Sequence, residues 1–267
     1  MMNQTGIKEM AARAAMNQTE IKEMTGRAAM NQNEIKEMAA RAAVEALVKS
    51  GMKLGLGTGS TAIHAVRHIG ALLAGGKLEN IRAVPTSFQT SIECEKWGIP
   101  LYTLNSREIG GRLDLAIDGA DEVDPMNRLI KGGGGALLLE KIVAYASASC
   151  AIVVDESKIV ENLGLKFPVP VEVVPEARIP VTLALQKIGA DVALREAVRK
   201  AGPVITDHGN LLLDIRFARA VDPAALEAEL NRIPGVVENG FFTGPADRAL
   251  RPVVFIGLSG GKTERRD

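Results

Sequence analysis

Residues 113–140 constrain this chain more than any other stretch. Leu113-Asp-Leu-Ala-Ile117 is an apolar run of strand length, and it breaks at once into Asp118-Gly119-Ala120-Asp121. Two carboxylates three apart, at the C-terminal end of a buried strand, lie where open α/β sheets hold their ligands. A second short run, Arg128-Leu-Ile130, delivers Lys131 into four consecutive glycines, 132–135. An apolar helix is expected to follow over 134–147, with Glu140 in its second turn. Asp-Gly alone is ordinary turn chemistry, and a glycine run alone can be a flexible connection. Their succession after two strands, with a third glycine loop upstream, points instead to a site. Carboxylates, one ammonium, bare backbone and one helical glutamate form a proton-transfer and anion-binding set.

The upstream loop is Gly55-Leu-Gly57-Thr58-Gly59-Ser60-Thr61-Ala62, between a strand expected over 52–56 and a helix over 62–73. Bare N–H groups and the positive end of a helix favour a phosphate there, and Ser60 and Thr61 add hydroxyls. The same residues fit G-x-G-x-x-A, the dinucleotide fingerprint. That fingerprint expects an acidic residue at the end of the second strand to hold a ribose. Here the second strand, 81–84, runs into Pro85-Thr86-Ser87, so the loop is read as a monophosphate site. Gly257-Leu-Ser-Gly-Gly-Lys262-Thr263 looks like a P-loop, but Ile256 stands where its first glycine belongs and no helix follows. His64 and His68 are four apart on a helix without an evident third metal ligand, so they read as helix surface, and His208 as a turn residue.

From Met30 onward helices and strands alternate. Helices are expected over 33–48, 62–73, 90–97 and 134–147, and strands over 52–56, 81–84, 99–104, 113–117 and 151–154. Apolar strands alternating with helices make a parallel sheet covered on both faces. After Val169–Pro175 the pattern changes. A helix over 180–188 and a polar loop over 186–199 precede a hairpin whose arms, 203–206 and 211–217, flank Asp207-His-Gly-Asn210. Asp222-Pro223 caps a helix ending at Leu230, and a strand is expected over 236–242. Residues 252–257 return as a strand to the large sheet, with an unstructured tail beyond 259. The chain thus divides into an N-terminal extension (1–29), a large α/β domain (30–174 with 244–267) and a small α+β domain (175–243).

The extension is a repeat. Met2–Ala15 recurs at Met16–Ala29 and again at Met30–Ala43, a period of 14, with Ile, Met and Ala on one weak helical stripe. It reads as a dispensable helical extension, or alternatively as a coiled-coil handle; Thr25-Gly26 weakens a continuous helix. The 267 residues carry 32 basic and 32 acidic side chains, and aromatics are 3%. No global field therefore favours nucleic acid, and base-stacking platforms are not expected. Cys94 and Cys150 are isolated, which suggests a reducing, cytoplasmic compartment. No apolar run reaches membrane-spanning length, and the N-terminus lacks a signal-peptide core.

This set suits proton abstraction beside a carbonyl. Glu140 is the expected base, since a desolvated carboxylate can titrate near working pH. Lys131 and the glycine-loop N–H groups would stabilise an enediolate oxygen. Asp118 and Asp121 would hold sugar hydroxyls, one of them shuttling the ring-opening proton.

Five ordered motifs, Gly57-Thr-Gly-Ser-Thr61, Asp118-Gly-Ala-Asp-Glu122, Lys131-Gly-Gly-Gly134, Glu140-Lys141 and Lys166-Phe-Pro-Val-Pro-Val-Glu-Val173, together resemble the type A ribose-5-phosphate isomerases over residues 33–242. The resemblance implies a Rossmann-like α/β enzyme that interconverts D-ribose 5-phosphate and D-ribulose 5-phosphate without metal or cofactor, as a homodimer or homotetramer. It implies substrate binding by Thr58, Gly59, Ser60 and Thr61, by Asp118, Gly119, Ala120 and Asp121, by Lys131, Gly132, Gly133 and Gly134, and by Lys166. Glu140 would be the proton acceptor, and Lys36 resembles a family lysine near the phosphate. The repeated N-terminus departs from the family, as does the tail beyond Gly244. A rival reading is a non-catalytic sugar-phosphate sensor of the same fold. It would need a basic DNA-reading helix-turn-helix, which the charge-balanced repeat does not offer.

Overall fold

A computed structural model of the chain describes residues 30–244 and 251–267. The first two repeat units, with the expected extension or coiled-coil handle, lie outside the described residues. The third unit opens the first helix, α1 (Gln32–Leu47). Asn31 caps it reciprocally: its side chain accepts from Glu34 N, and Glu34 accepts from Asn31 N. This capping box satisfies two N–H groups that the helix leaves unpaired.

The chain then runs β1 (Lys53–Leu56), α2 (Ala62–Ala74), β2 (Arg82–Pro85), α3 (Phe88–Lys96) and β3 (Leu113–Asp118). After β4 (Glu122–Val123) and β5 (Leu129–Ile130) come α4 (Leu137–Tyr145) and β6 (Ser147–Asp155). The second unit holds β7 (Val169–Val173), α5 (Arg178–Lys187), β8 (Asp191–Leu194), β9 (Leu211–Arg216), α6 (Pro223–Leu230) and β10 (Val236–Asn239). β11 (Phe241–Phe242), β12 (Val253–Leu258) and β13 (Lys262–Arg266) complete the fold.

The large sheet has the order β13-β12-β6-β3-β1-β2, and every neighbouring pair is parallel except β12 with β13. Alternate strand residues feed two cores, as the period-2 geometry of a strand requires. Leu54, Leu56, Leu115, Ile117 and Val153 face α1–α3, while Ala116, Cys150, Ile152 and Val154 face α4 and Phe242. A four-stranded antiparallel sheet, β10-β7-β9-β8, carries α5 and α6 over a third core. A three-stranded sheet, β11-β5-β4, bridges the two.

Several expectations are corrected. The helix expected over 134–147 starts only at Leu137, and Ser147 already belongs to β6; Glu140 therefore lies in the first turn. The strand expected over 99–104 is a single bridge, Ala83 to Leu101, at the edge of the sheet, where Pro100 has no N–H to donate. The partner of β9 in its hairpin is β8, from the stretch read as a polar loop, and the 203–206 arm contributes two isolated bridges, Ile205 to Leu211 of β9 and Pro203 to Glu196. β7 precedes the expected domain boundary at 174, yet it is a central strand of the small sheet. The run 236–242 divides at Gly240, because a Cβ there would lie 2.6 Å from both the Lys131 carbonyl oxygen and Pro170. The bare backbone passes between them and changes sheets. The tail is not unstructured: β13 pairs antiparallel with residues 254–258 of β12. Its charged residues suit an edge strand, where they discourage further pairing, and the P-loop lookalike is this hairpin's turn.

Candidate active site

The chain leaves β1 for β2 on one side, while β3 lies on the other, so the crevice at their C-terminal ends is a topological switch point. Gly57 and Asp118 meet there. Gly57 N donates to Ile117 O (2.9 Å), and a Cβ on Gly57 would sit 2.0 Å from Asp118 Oδ1. Only glycine fits. Asp118, buried at the end of β3, accepts through Oδ1 from Thr58 N (3.1 Å) and Gly119 N (2.7 Å). Its Oδ2 lies 3.0 Å from Lys131 Nζ.

Lys131 follows β5, and its N–H donates to Gly240 O (3.0 Å), so the bridging sheet aims the side chain inward. The ammonium donates to Gly119 O (2.6 Å), stands 3.4 Å from Glu140 Oε2, and lies 5.6 Å from the centre of the Phe242 ring. Glu140 is only 5% exposed, and beyond this ion-pair contact no hydrogen-bond donor among the described residues meets its Oε2. Burial pushes Glu140 up to about 8, against the pull of Lys131 and with the nearby charges of Asp118 and Asp121 adding to the rise. Burial alone would depress Lys131, but Asp118 and Glu140 hold it above its ordinary value. Burial also raises Asp118, opposed by Lys131 and its two N–H donors. The cluster holds one firm cation against two buried carboxyls, both raised by burial.

Asp121 differs from Asp118. It is half-buried, and its Oδ2 accepts from Gly133 N (2.7 Å). The glycine loop is exposed at Gly133 and Gly134, and Gly134 faces the upstream loop, where its Cβ position is 3.8 Å from Thr58 Cγ2. Gly132 is buried against Leu137 and Pro170, and Ala120 is half-buried beside Asp121.

In the upstream loop Lys36 Nζ donates to Ser60 Oγ (3.0 Å), joining α1 to the N-terminus of α2. Thr61, buried, is the N-cap residue of α2, yet its hydroxyl makes no capping bond. No acceptor among the described residues meets Ser60 N or Thr61 N. The Thr58 hydroxyl turns inward, 2.7 Å from Thr86 Oγ1 and from Ser87 Oγ and 3.2 Å from Thr90 Oγ1. Thr86 and Ser87, where a dinucleotide fold would carry its acid, thus brace this loop. Lys166 is the outlier. It is exposed before β7, and among the described residues only its carbonyl is engaged, by Arg216 Nη1 (3.3 Å). His64 and His68 turn to separate partners, Asn33 Oδ1 (3.2 Å) and Glu45 Oε1 (3.4 Å).

Four supports were not anticipated. Gln89 Oε1 accepts from Gly59 N (3.1 Å), and Phe242 lies under Lys131. Lys141 Nζ binds Glu227 Oε1 and Glu238 Oε1, both at 2.8 Å, tying α4 to the second unit. Arg195 reaches from beyond β8 to the carbonyls of Gly132 and Gly133. Each joins residues distant in sequence. Only Lys141, beside Glu140 in a matched motif, left a local sign.

The family model for ribose 5-phosphate isomerase A (phosphoriboisomerase A) matches residues 82–252. The ribose-5-phosphate isomerase A of Treponema denticola is 58% identical over 208 residues, which span 77% of this chain and 87% of that protein. That of Treponema pallidum is 53% identical over 230 residues, 84% of this chain and 89% of its own length. The solved ribose 5-phosphate isomerase A of Methanocaldococcus jannaschii aligns with a TM-score of 0.80 at 43% identity, covering 88% of this chain and 100% of that one. A D-ribose-5-phosphate isomerase solved in complex with phospho-erythronic acid aligns at 0.81 with 41% identity, covering 89% and 100%. With its fold, its ordered motifs and these relatives in agreement, this chain belongs to the ribose-5-phosphate isomerase A family.

Proposed function

We propose that Glu140 is the base in the interconversion of D-ribose 5-phosphate and D-ribulose 5-phosphate by this chain. In the open-chain aldose, the Glu140 carboxylate takes the C2 proton. The C2–H electron pair forms the C1=C2 double bond, and the carbonyl oxygen on C1 becomes the enediolate oxygen. Return of that proton from Glu140 to C1, with transfer of the O2 proton to O1, leaves a hydroxyl on C1 and the ketone at C2. Lys131 offsets the oxyanion charge from a fixed position. The observation that carries this reading is one buried carboxyl, raised to about 8, set 3.4 Å from a buried ammonium.

The two aspartates divide the remaining work. Asp118 spends both oxygens on Thr58, Gly119 and Lys131, so it anchors the loop and the ammonium. Asp121, half-buried, is the better group for a sugar hydroxyl and for the ring-opening proton. Ser60, Thr61 and Lys36 at the N-terminus of α2 form the phosphate site, and Lys166 enters the reading through the family resemblance. Phospho-erythronic acid, the compound solved with a relative, supports this arrangement, because its planar carboxylate carries two oxygens as the planar enediolate does, on a chain that also bears a phosphate.

The test is kcat/KM of the wild type against pH, which reports groups of the free enzyme. It should fall about tenfold per pH unit below about 8, as Glu140 takes up its proton. A flat profile down to pH 6 would contradict the assignment of the base.

We also infer a homodimer or homotetramer in the cytoplasm. Exposed Phe88, Ile92 and Ile142 support the first part, and two buried, unpaired cysteines the second. A light-scattering mass equal to the 28.3 kDa chain would contradict the oligomer.

A further inference from the structure

We propose that Arg195 is a positioning residue for the isomerisation, acting through the glycine loop. The inference rests on the reading of that loop as part of the substrate site. Arg195 follows β8, and Asp214 stands on the neighbouring strand β9. The two form a fork. Arg195 Nε donates to Asp214 Oδ2 (2.8 Å) and Nη2 donates to Asp214 Oδ1. This leaves Nη1, which donates to Gly132 O (2.9 Å) and Gly133 O (3.2 Å). One planar group thus spans from the second unit to two consecutive carbonyls of the first. A bidentate guanidinium does this with little freedom of its own, and an ammonium cannot reproduce it.

The loop needs an external hold. Four glycines carry no side chains to fix them, and each has a wide range of backbone conformations. Apart from Arg195, Gly132 O receives among the described residues only the turn bond from Gly135 N (2.9 Å). Gly133 O receives no other hydrogen bond among the described residues.

A trans peptide is planar, so fixing its carbonyl fixes its N–H in the opposite direction. In the peptide joining Gly132 to Gly133, Arg195 holds the carbonyl while Asp121 Oδ2 takes the N–H at 2.7 Å. In the next peptide Arg195 holds Gly133 O, which turns the Gly134 N–H away from Arg195. Gly134 is also the residue that lies against Thr58 of the phosphate loop. Arg195 therefore sets both the seat of Asp121 and the direction of an N–H donor, and a cation on the carbonyls strengthens the donors beyond them.

Arg195→Ala and Arg195→Lys test this in the full chain, with ribose 5-phosphate as substrate and inorganic phosphate as a competitive inhibitor. Both variants should lose about a hundredfold in kcat, the scale of a small misplacement of reacting groups. The inhibition constant for inorganic phosphate should stay within about threefold, because the phosphate loop is untouched. Added methylguanidinium should restore part of the kcat of Arg195→Ala. A kcat within about threefold of wild type in both variants overturns the proposal. So does a parallel loss of kcat and phosphate binding, which would mean general disruption. Should Arg195→Ala fail to fold, Asp214→Asn keeps the guanidinium and frees one side of it. It should lower kcat about tenfold at unchanged phosphate affinity, and an unchanged kcat there also overturns the proposal. An inactive wild type would overturn the isomerase reading itself, and this inference with it.

Discussion

Replacing Glu140 by Gln should stabilise the protein in alkaline solution while removing its activity. In the folded chain the carboxyl is raised from 4.5 to about 8, with burial as the largest cause. Between those values the folded state holds a proton that the unfolded state has released. Stability therefore falls as pH rises through this window, and the loss is complete above about 8. One pKa unit corresponds to about 1.4 kcal/mol, so the full shift sets a ceiling on the order of 5 kcal/mol. Local relaxation and water entry reduce it, and about half is a realistic value. Gln keeps the shape of the protonated carboxyl and never ionises. Urea unfolding of both proteins at pH 5, 7 and 9 measures the effect. The variant should match wild type within about 1 kcal/mol at pH 5 and exceed it by about 2–3 kcal/mol at pH 9. A difference that does not change with pH, or a variant less stable than wild type at pH 9, would refute the claim that this carboxyl is held against its ionisation.

Three further outcomes are expected. Gly57→Ala puts a Cβ 2.0 Å from Asp118 Oδ1 and 2.6 Å from its Cα; it should cost about 3 kcal/mol in thermal or urea unfolding and reduce kcat, because Asp118 anchors Lys131. Thr61→Val removes a hydroxyl that makes no capping bond, so melting should hold while KM for ribose 5-phosphate rises about tenfold, the loss of one hydrogen bond to a charged group. A chain beginning at Met30 keeps Lys36 and the Asn31 cap, and its kcat/KM should match that of the full chain.

The proposed site is legible in the sequence because it is local. Asp118, Asp121, Lys131 and Glu140 fall within one stretch of strand, turn and helix, and the proposed phosphate loop is marked by Gly57, Gly59 and Ser60. The parallel sheet was legible for a similar reason, since buried strands are continuous apolar runs. What escaped depends on pairing across the chain. β8 alternates exposed and half-buried positions over four residues, a pattern too short to stand out beside the charged 195–200 segment. β13 carries mainly charged side chains, and it is a strand only because the edge of β12 lies free beside it. The single strand expected over 236–242 turned on Gly240, whose need for bare backbone comes from Lys131 and Pro170. Arg195 belongs to the same class: neither it nor Asp214 has any local mark of reaching a loop some sixty residues upstream.

Glu140 is the one buried carboxylate proposed to move the proton between C1 and C2. The most direct measurement is turnover of ribose 5-phosphate by Glu140→Gln beside wild type, with substrate affinity measured by calorimetry on the same samples. The variant's kcat should be lower by several orders of magnitude, with binding retained within about tenfold. A variant that turns over within about tenfold of wild type, a barrier change of about 1.4 kcal/mol or less, would show that another group is the base.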